Sequence, residues 1–316
     1  MPQLKRTDTS VYLRNLLEMT EKFELETSHP RVLFLGDSIL TGIDRGETEH
    51  HTFQRVTERL FPEEWRTLVA GLYAANVNFY YRMWSLIEAR RYVPELVVAP
   101  LNLRSFSPLW FLNPRHTYSK LIESLDALLV SEIDVDLDQE ILLNSAAPLT
   151  GLQGRKWEFF GIGEMDLKDI YSVWDRTSPM ERESRLRLML TAYFLFQFSS
   201  DHPLLAVWRD FIERILDRGS TVFVYVPGFN AAEVRRVLGE DFDTYIKEQQ
   251  QRLHLLFDEF SDHTRFNYAD FSMSLDEDNF LDPVEHLTFK GRRVMAIMLR
   301  KIIGDILDKR ASQGVA

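Results

Sequence analysis

Cysteine is missing from all 316 residues, which removes disulfide scaffolds, thiolate metal sites and cysteine nucleophiles. Long hydrophobic runs are missing too. The longest, Leu188 to Phe198, contains Thr191 and Gln197, and falls short of the roughly 20 residues that a membrane-spanning helix needs. Positive charge is scarce: 37 Lys and Arg face 48 Asp and Glu, a formal net of −11. Such a chain lacks the long-range attraction to phosphate on which nonspecific nucleic-acid binding depends. The first thirty residues alternate charged and apolar character without the hydrophobic core of a signal peptide, so a cytoplasmic location is expected.

What is present is an ordinary globular composition, 45% hydrophobic and 27% charged. A chain of this size buries roughly three quarters of its unfolded surface, enough for a full core. Aromatics reach 12%, with 22 Phe, 11 Tyr and 6 Trp, and many lie in the middle of the chain.

Periodicity organises the rest. Residues 9–27 carry Tyr12, Leu16, Met19 and Phe23 on one helical stripe, stopped by His29-Pro30. Short runs at 32–35, 67–70, 96–99, 221–226 and 264–269 read as five strands, the first of them typical of a strand buried on both faces. Helical patterns over about 74–90, 230–260 and 288–308 separate or follow them. The last carries Val294, Ile297, Met298, Ile302 and Ile306 as its apolar residues. Strands alternating with helices predict a doubly wound, mainly parallel five-stranded α/β sheet. Residues 105–218 look helical and irregular with no clear strand, and are expected to form an insertion or lid.

In such a sheet, ligands bind at the carboxyl ends of the strands. Gly36-Asp37-Ser38 follows the first strand, Gly71-Leu72-Tyr73-Ala74 the second and Asn102 the third, while Asp282-Pro283-Val284-Glu285-His286 precedes the last helix. A serine, amides beside small residues, an amide side chain and a histidine are the parts of an acyl-transfer site.

These blocks resemble the GDSL-type members of the SGNH hydrolase family. Leu33-Phe34-Leu35-Gly36-Asp37-Ser38-Ile39-Leu40 is similar to the family's first block. Pro94-Glu95-Leu96-Val97-Val98 leading to Asn102 is similar to the third, and Phe280 to Thr288, with Gly291 beyond, to the fifth. A Gly-Asp-Ser tripeptide alone arises by chance in about one chain in ten of this length, so the weight lies in the joint order.

The resemblance implies a flavodoxin-like architecture with a catalytic domain over 31–104 and 219–310, an N-terminal helix within 1–30 and the insertion 105–218 between its halves. It implies Ser38 as nucleophile, His286 as base and Asp282 as the residue orienting it. The oxyanion hole would draw on the Ser38 amide, Gly71 or Ala74, and Asn102. The activity implied is ester hydrolysis or O-acyl transfer on a small-molecule or carbohydrate acyl ester, without cofactor or metal. A non-catalytic binding or scaffold protein on the same fold is the alternative.

Three departures from the family pattern carry consequences. Asp282 lies four residues before His286 instead of three. Asp-Pro-Val-Glu also reads as a capping box opening a helix, so Asp282 either caps, orients the histidine, or does both. Where the family continues from Asn to Asp, this chain has Leu103 and Arg104; Arg104 would either neutralise an anionic substrate or form an internal ion pair. The later glycine of the second block is replaced by Ala74. Trp110, with Phe106, Phe111, Tyr193, Phe194, Phe196 and Phe198, would form either a lid over an apolar substrate or the insertion's own core, and aromatics at helical spacing are more often core.

Other motifs fail. Glu47, Glu49, His50 and His51 read as a solvated charged stretch before they read as a metal site. Asp134, Asp136 and Asp138 lack the Gly and closing Glu of a calcium loop. Gly161-Ile162-Gly163 lacks the third glycine of a dinucleotide fingerprint.

Overall fold

The computed structural model describes residues 29–41, 52–71, 75–89, 93–111, 156–165 and 180–312. The helix expected over 9–27 lies outside them, as do Ala74, the Glu47–His51 stretch and the Asp134–Asp138 cluster. The strands are β1 (Arg31–Gly36), β2 (Arg66–Gly71), β3 (Leu96–Pro100), β4 (Trp157–Phe159), β5 (Gly163–Met165), β6 (Thr221–Val226) and β7 (Phe266–Asp270). Five of them form one parallel sheet in the order β2-β1-β3-β6-β7. The first-strand-inside order makes this a flavodoxin-like doubly wound fold, with its topological switch between β1 and β3.

The inner strands β1, β3 and β6 feed two cores, which is why they are apolar at nearly every position instead of at alternate ones. The edge strand β7 is only partly buried and carries Asn267 and Asp270. Leu33, Leu35, Val97, Val222 and Val224 face one core, and Val32, Phe34, Leu96, Val98 and Phe223 the other. Helices α3 (Val77–Ala89) and α6 (Pro203–Asp217) supply the first, with Tyr80 edge-on to Trp208 at 6.1 Å. Helices α2 (Phe53–Leu60) and α9 (Phe289–Ser312) supply the second. The expected stretch over 230–260 is two helices, α7 (Ala231–Leu238) and α8 (Asp241–Asp258), parted at Gly239 with φ 81°.

In α9 the apolar stripe is rotated from the expected one. Met295, Ala296, Leu299, Ile303, Ile306 and Leu307 are buried, while Ile297 is 53% exposed. Gly36 closes β1 because a side chain there has no room: a Cβ would stand 2.2 Å from Leu40 Cδ1 in the short helical turn α1 (Ser38–Thr41).

The segment 105–218 does contain strands. β4 and β5 pair antiparallel as a hairpin, and positive φ is taken by Gly161 in its turn and by Gly163 at the start of β5, which accounts for the Gly-Ile-Gly spacing. Helices α4 (Pro108–Phe111) and α5 (Arg182–Phe194) flank the hairpin in sequence. Phe106, Trp110, Tyr193, Phe194, Phe196 and Phe198 are buried in the same core as Leu33 and Val97. These aromatics therefore belong to the interior and not to an open lid. Among the described residues no helix is long and apolar enough to cross a membrane.

Candidate active site

The carboxyl ends of β1 and β3 diverge at the switch point, and the loop before α9 reaches the same edge. Ser38 opens the turn α1, its Asp37 neighbour accepting the Ile39 amide at 2.9 Å through Oδ1. His286 Nε2 lies 3.0 Å from Ser38 Oγ, although the two residues are 248 apart in sequence. His286 Nδ1 is hydrogen-bonded to Asp282 Oδ2.

Asp282 uses its two oxygens for different tasks. Oδ1 accepts the amides of Val284, Glu285 and His286 at 2.9, 2.9 and 3.2 Å, while Oδ2 meets the imidazole. Capping and orienting thus coexist in one carboxylate. Burial opposes its charge, but the His286 hydrogen bond and charge and the Val284 and His286 amides outweigh it, so the carboxyl lies below its usual value.

The helix expected to start at Asp282 does not form. Residues 281–285 make a turn closed by the Leu281 amide on the His286 carbonyl at 2.7 Å. Helix α9 starts at Phe289, with the Thr288 hydroxyl accepting the Gly291 amide at 3.0 Å. The physical reason is that Asp282 collects successive amides inside a turn, leaving the cap position to Thr288.

Asn102 departs from its expected role. Its Nδ2 donates to Glu285 Oε2 at 2.8 Å and to Asp37 Oδ2 at 3.3 Å, and its Oδ1 accepts the Arg104 amide at 3.3 Å. Both amide hydrogens therefore face carboxylates, and neither is free for an oxyanion above Ser38. Gly71 ends β2 opposite Gly36 in the parallel register.

Arg104 and Trp110 are likewise not presented to a substrate. Arg104 is 1% exposed. Its Nη2 lies 2.6 Å from Asp37 Oδ2 and its Nη1 hydrogen-bonds Glu285 Oε1. The Trp110 ring covers the guanidinium at 4.1 Å and meets Tyr193 edge-on at 5.6 Å. A buried guanidinium must be paired, and two carboxylates already pair it.

Glu285 is the residue that sequence reasoning missed. It reads as the third position of a capping box, yet it is 3% exposed and meets both Arg104 and Asn102. The signal for it was an acidic residue directly before the histidine, matched by an unexpected arginine after Asn102. Beside this cluster lie Tyr80 and Tyr225, whose hydroxyls are raised by burial first and the Asp37 charge second.

A small cavity of about 10 Å³ is lined by Asn102, Leu103, Phe194, Val226, Pro227, Gly228, Phe229 and Glu285. The much larger cleft, about 590 Å³, lies by Gln54, Trp65 and Arg66 at the start of β2, away from Ser38. Ser38, His286 and Asp282 lie at the carboxyl edge of the sheet, beside the small cavity and not in the larger cleft. Among the described residues no group of three or more His, Asp or Glu is arranged to hold a metal.

No protein-family model matches the sequence, and no curated protein matches it. Among solved structures, the chain is similar to a carbohydrate acetylesterase family member from Sinorhizobium meliloti, at 12% identity over 88% of this chain and 99% of that one, with a TM-score of 0.40. It is similar to Axe2, an acetylxylan esterase from Geobacillus stearothermophilus, at 13% identity over 88% and 95%, TM-score 0.41. A GDSL-like lipase from Bacteroides thetaiotaomicron gives 10% identity over 94% and 99%, TM-score 0.42. The fold is defined by the strand order.

Proposed function

We propose that the protein is a serine esterase or O-acyltransferase of SGNH type, acting on a small-molecule or carbohydrate acyl ester through a covalent acyl-enzyme. One observation carries the reading: Ser38 Oγ, the two nitrogens of His286 and Asp282 Oδ2 form an unbroken hydrogen-bonded relay at the carboxyl edge of the sheet. In this reading residues 31–104 and 219–310 form the catalytic domain, and the intervening 105–218 is no separate lid: its helix α6 and the aromatics around Phe106 and Phe194 complete that domain's core.

The chemistry follows from the atoms. A serine hydroxyl is a weak nucleophile until a base takes its proton. His286 Nε2 accepts that proton as Ser38 Oγ attacks the ester carbonyl, and the imidazolium is stabilised by Asp282. The amides of Ser38 and Gly71 donate to the oxyanion in this reading; each such donor is typically worth about two to three powers of ten in rate. His286 returns the proton to the leaving alcohol, giving the acyl-serine. Water or an acceptor hydroxyl then attacks by the reverse path, and that choice separates hydrolase from transferase.

A fluorophosphonate probe tests the reading. Labelling of the wild-type protein and hydrolysis of a short aryl ester, both lost in Ser38→Ala, are expected. Absence of Ser38-dependent labelling and of hydrolysis together would sink it. Alcohol or sugar acceptors that outcompete water would assign transfer.

The engagement of both Asn102 amide hydrogens favours a second reading, a non-catalytic binding protein that kept the fold. The same probe separates the two.

A further inference from the structure

The residues that immediately precede Ser38 and His286 are both acidic, both buried, and both held by one guanidinium. Arg104 Nη2 reaches Asp37 Oδ2 at 2.6 Å, and Nη1 reaches Glu285 Oε1. Asn102 Nδ2 lies between the same two carboxylates. Arg104 comes from the short turn after β3, so three separate stretches of chain meet in this cluster.

The sheet fixes Ser38, since Asp37 follows directly on a fully paired strand. It does not fix His286, which sits in a turn between β7 and α9. That turn is held on its other side by the Asn230 amide on the Val284 carbonyl at 2.7 Å and by Arg292 Nη1 on the Leu287 carbonyl at 2.7 Å. Those bonds tie it to α7 and α9. The link through Arg104 ties it to the end of β1.

A guanidinium suits that link because its nitrogens sit at fixed separation in one plane, whereas an ammonium is a single point charge on a flexible stem. Trp110, covering that plane at 4.1 Å, further limits how the fork can turn.

We propose that Arg104 is a positioning residue that sets the separation of Ser38 and His286 by clamping Asp37 and Glu285, the residue before each. The proposal rests on reading Ser38 and His286 as nucleophile and base. It assigns a task to the arginine standing where the resemblance leads one to expect an aspartate, and to the extra acidic residue before the histidine.

The test compares Arg104→Lys, Arg104→Met and Glu285→Gln with wild type. It uses kcat and KM for a short aryl ester, the rate of fluorophosphonate labelling, and crystal structures. A displacement of about 1 Å typically costs about a hundredfold in rate. Arg104→Lys and Arg104→Met are therefore expected to lower kcat and labelling rate about a hundredfold, with KM within about threefold. The isosteric Glu285→Gln is expected to lower them about tenfold. In each, the distance from Ser38 Oγ to His286 Nε2 widens from 3.0 Å to beyond hydrogen-bond reach. Glu95→Gln, at the opposite edge of the sheet, should match wild type.

A folded Arg104→Met protein with kcat within threefold of wild type overturns the proposal. So does loss of rate with the 3.0 Å separation kept, or a change confined to KM, which would make Arg104 a substrate contact. Should Arg104→Met fail to fold, Glu285→Gln decides by the same readouts. Should the wild type show no Ser38-dependent activity, the functional reading fails, and the positioning claim then stands or falls on the crystallographic separation alone.

Discussion

The two edges of the sheet each carry an arginine–carboxylate cluster, and water treats them differently. At the amino edge Arg31 pairs with Glu95 at 2.9 Å, with side chains 16% and 30% exposed. At the carboxyl edge Arg104 pairs with Asp37 and Glu285, at 1%, 0% and 5%. The first pair is partly solvated, so breaking it lets water replace the lost partner. In the second, removing one member strands the others without solvent. The same side-chain chemistry is therefore a modest tether at one edge and a geometric constraint at the other.

The largest effect that would test this contrast is on stability. Arg104→Met should cost about 3–5 kcal/mol in chemical denaturation, because two buried carboxylates lose their cation. A loss below about 1 kcal/mol would erase the difference between the edges.

Next comes acid sensitivity, which reads the same edge through a neighbour. His202 Nε2 lies 3.1 Å from the carbonyl of Phe106, in the turn that carries Arg104. Burial pushes this histidine down to about 4, against the opposing pull of the Phe106 carbonyl and Asp201. The folded protein therefore keeps it neutral where the unfolded chain, titrating near 6.5, takes up a proton. Stability should fall as pH drops from about 6.5 to about 4, by about 3 kcal/mol in all, and level off below. His202→Gln should flatten that part of the pH–stability curve; an unchanged slope would place the acid sensitivity elsewhere.

Gly36→Ala should cost about 1–3 kcal/mol, as overpacking does. Its Cβ would drive Leu40 away from 2.2 Å, so ester turnover should fall along with stability if the turn α1 carries the nucleophile. The smallest effect is expected from Glu95→Gln, under about 1 kcal/mol by the same denaturation measurement. A larger loss would show that the amino edge is less solvated in its energetics than in its exposure.

The sequence was most legible where one local pattern decides the structure. A strand buried on both faces must be apolar throughout, so β6 falls on residues 221–226 as expected. The hairpin β4–β5 was not legible, because two three-residue strands offer too few positions for alternation to register. Helix α9 was recognisable as a helix, but its phase was not: with Met295, Val294, Ile297 and Met298 all apolar, tertiary contact decides which of them faces the sheet. At the candidate site, serine and histidine were legible through the order of the blocks. The partnership of Arg104 with Glu285 spans 181 residues, and no local pattern encodes it. The true environment of Asn102 depends on that partnership, and was hidden with it.

Asp282 has a consequence for how such sites are recognised. Its carboxylate accepts the backbone amide of the histidine that it also meets through the ring. The bond between the two side chains is thereby inherited from the closure of the turn. Pro283 has no N–H to offer, so the amides that Asp282 gathers are those of Val284, Glu285 and His286, and the turn they close is what sets the interval of four. The interval in a sequence motif is thus the shadow of a turn. A search keyed to a fixed interval of three passes over this chain. One keyed to a carboxylate that gathers the histidine's own N–H would stop at it.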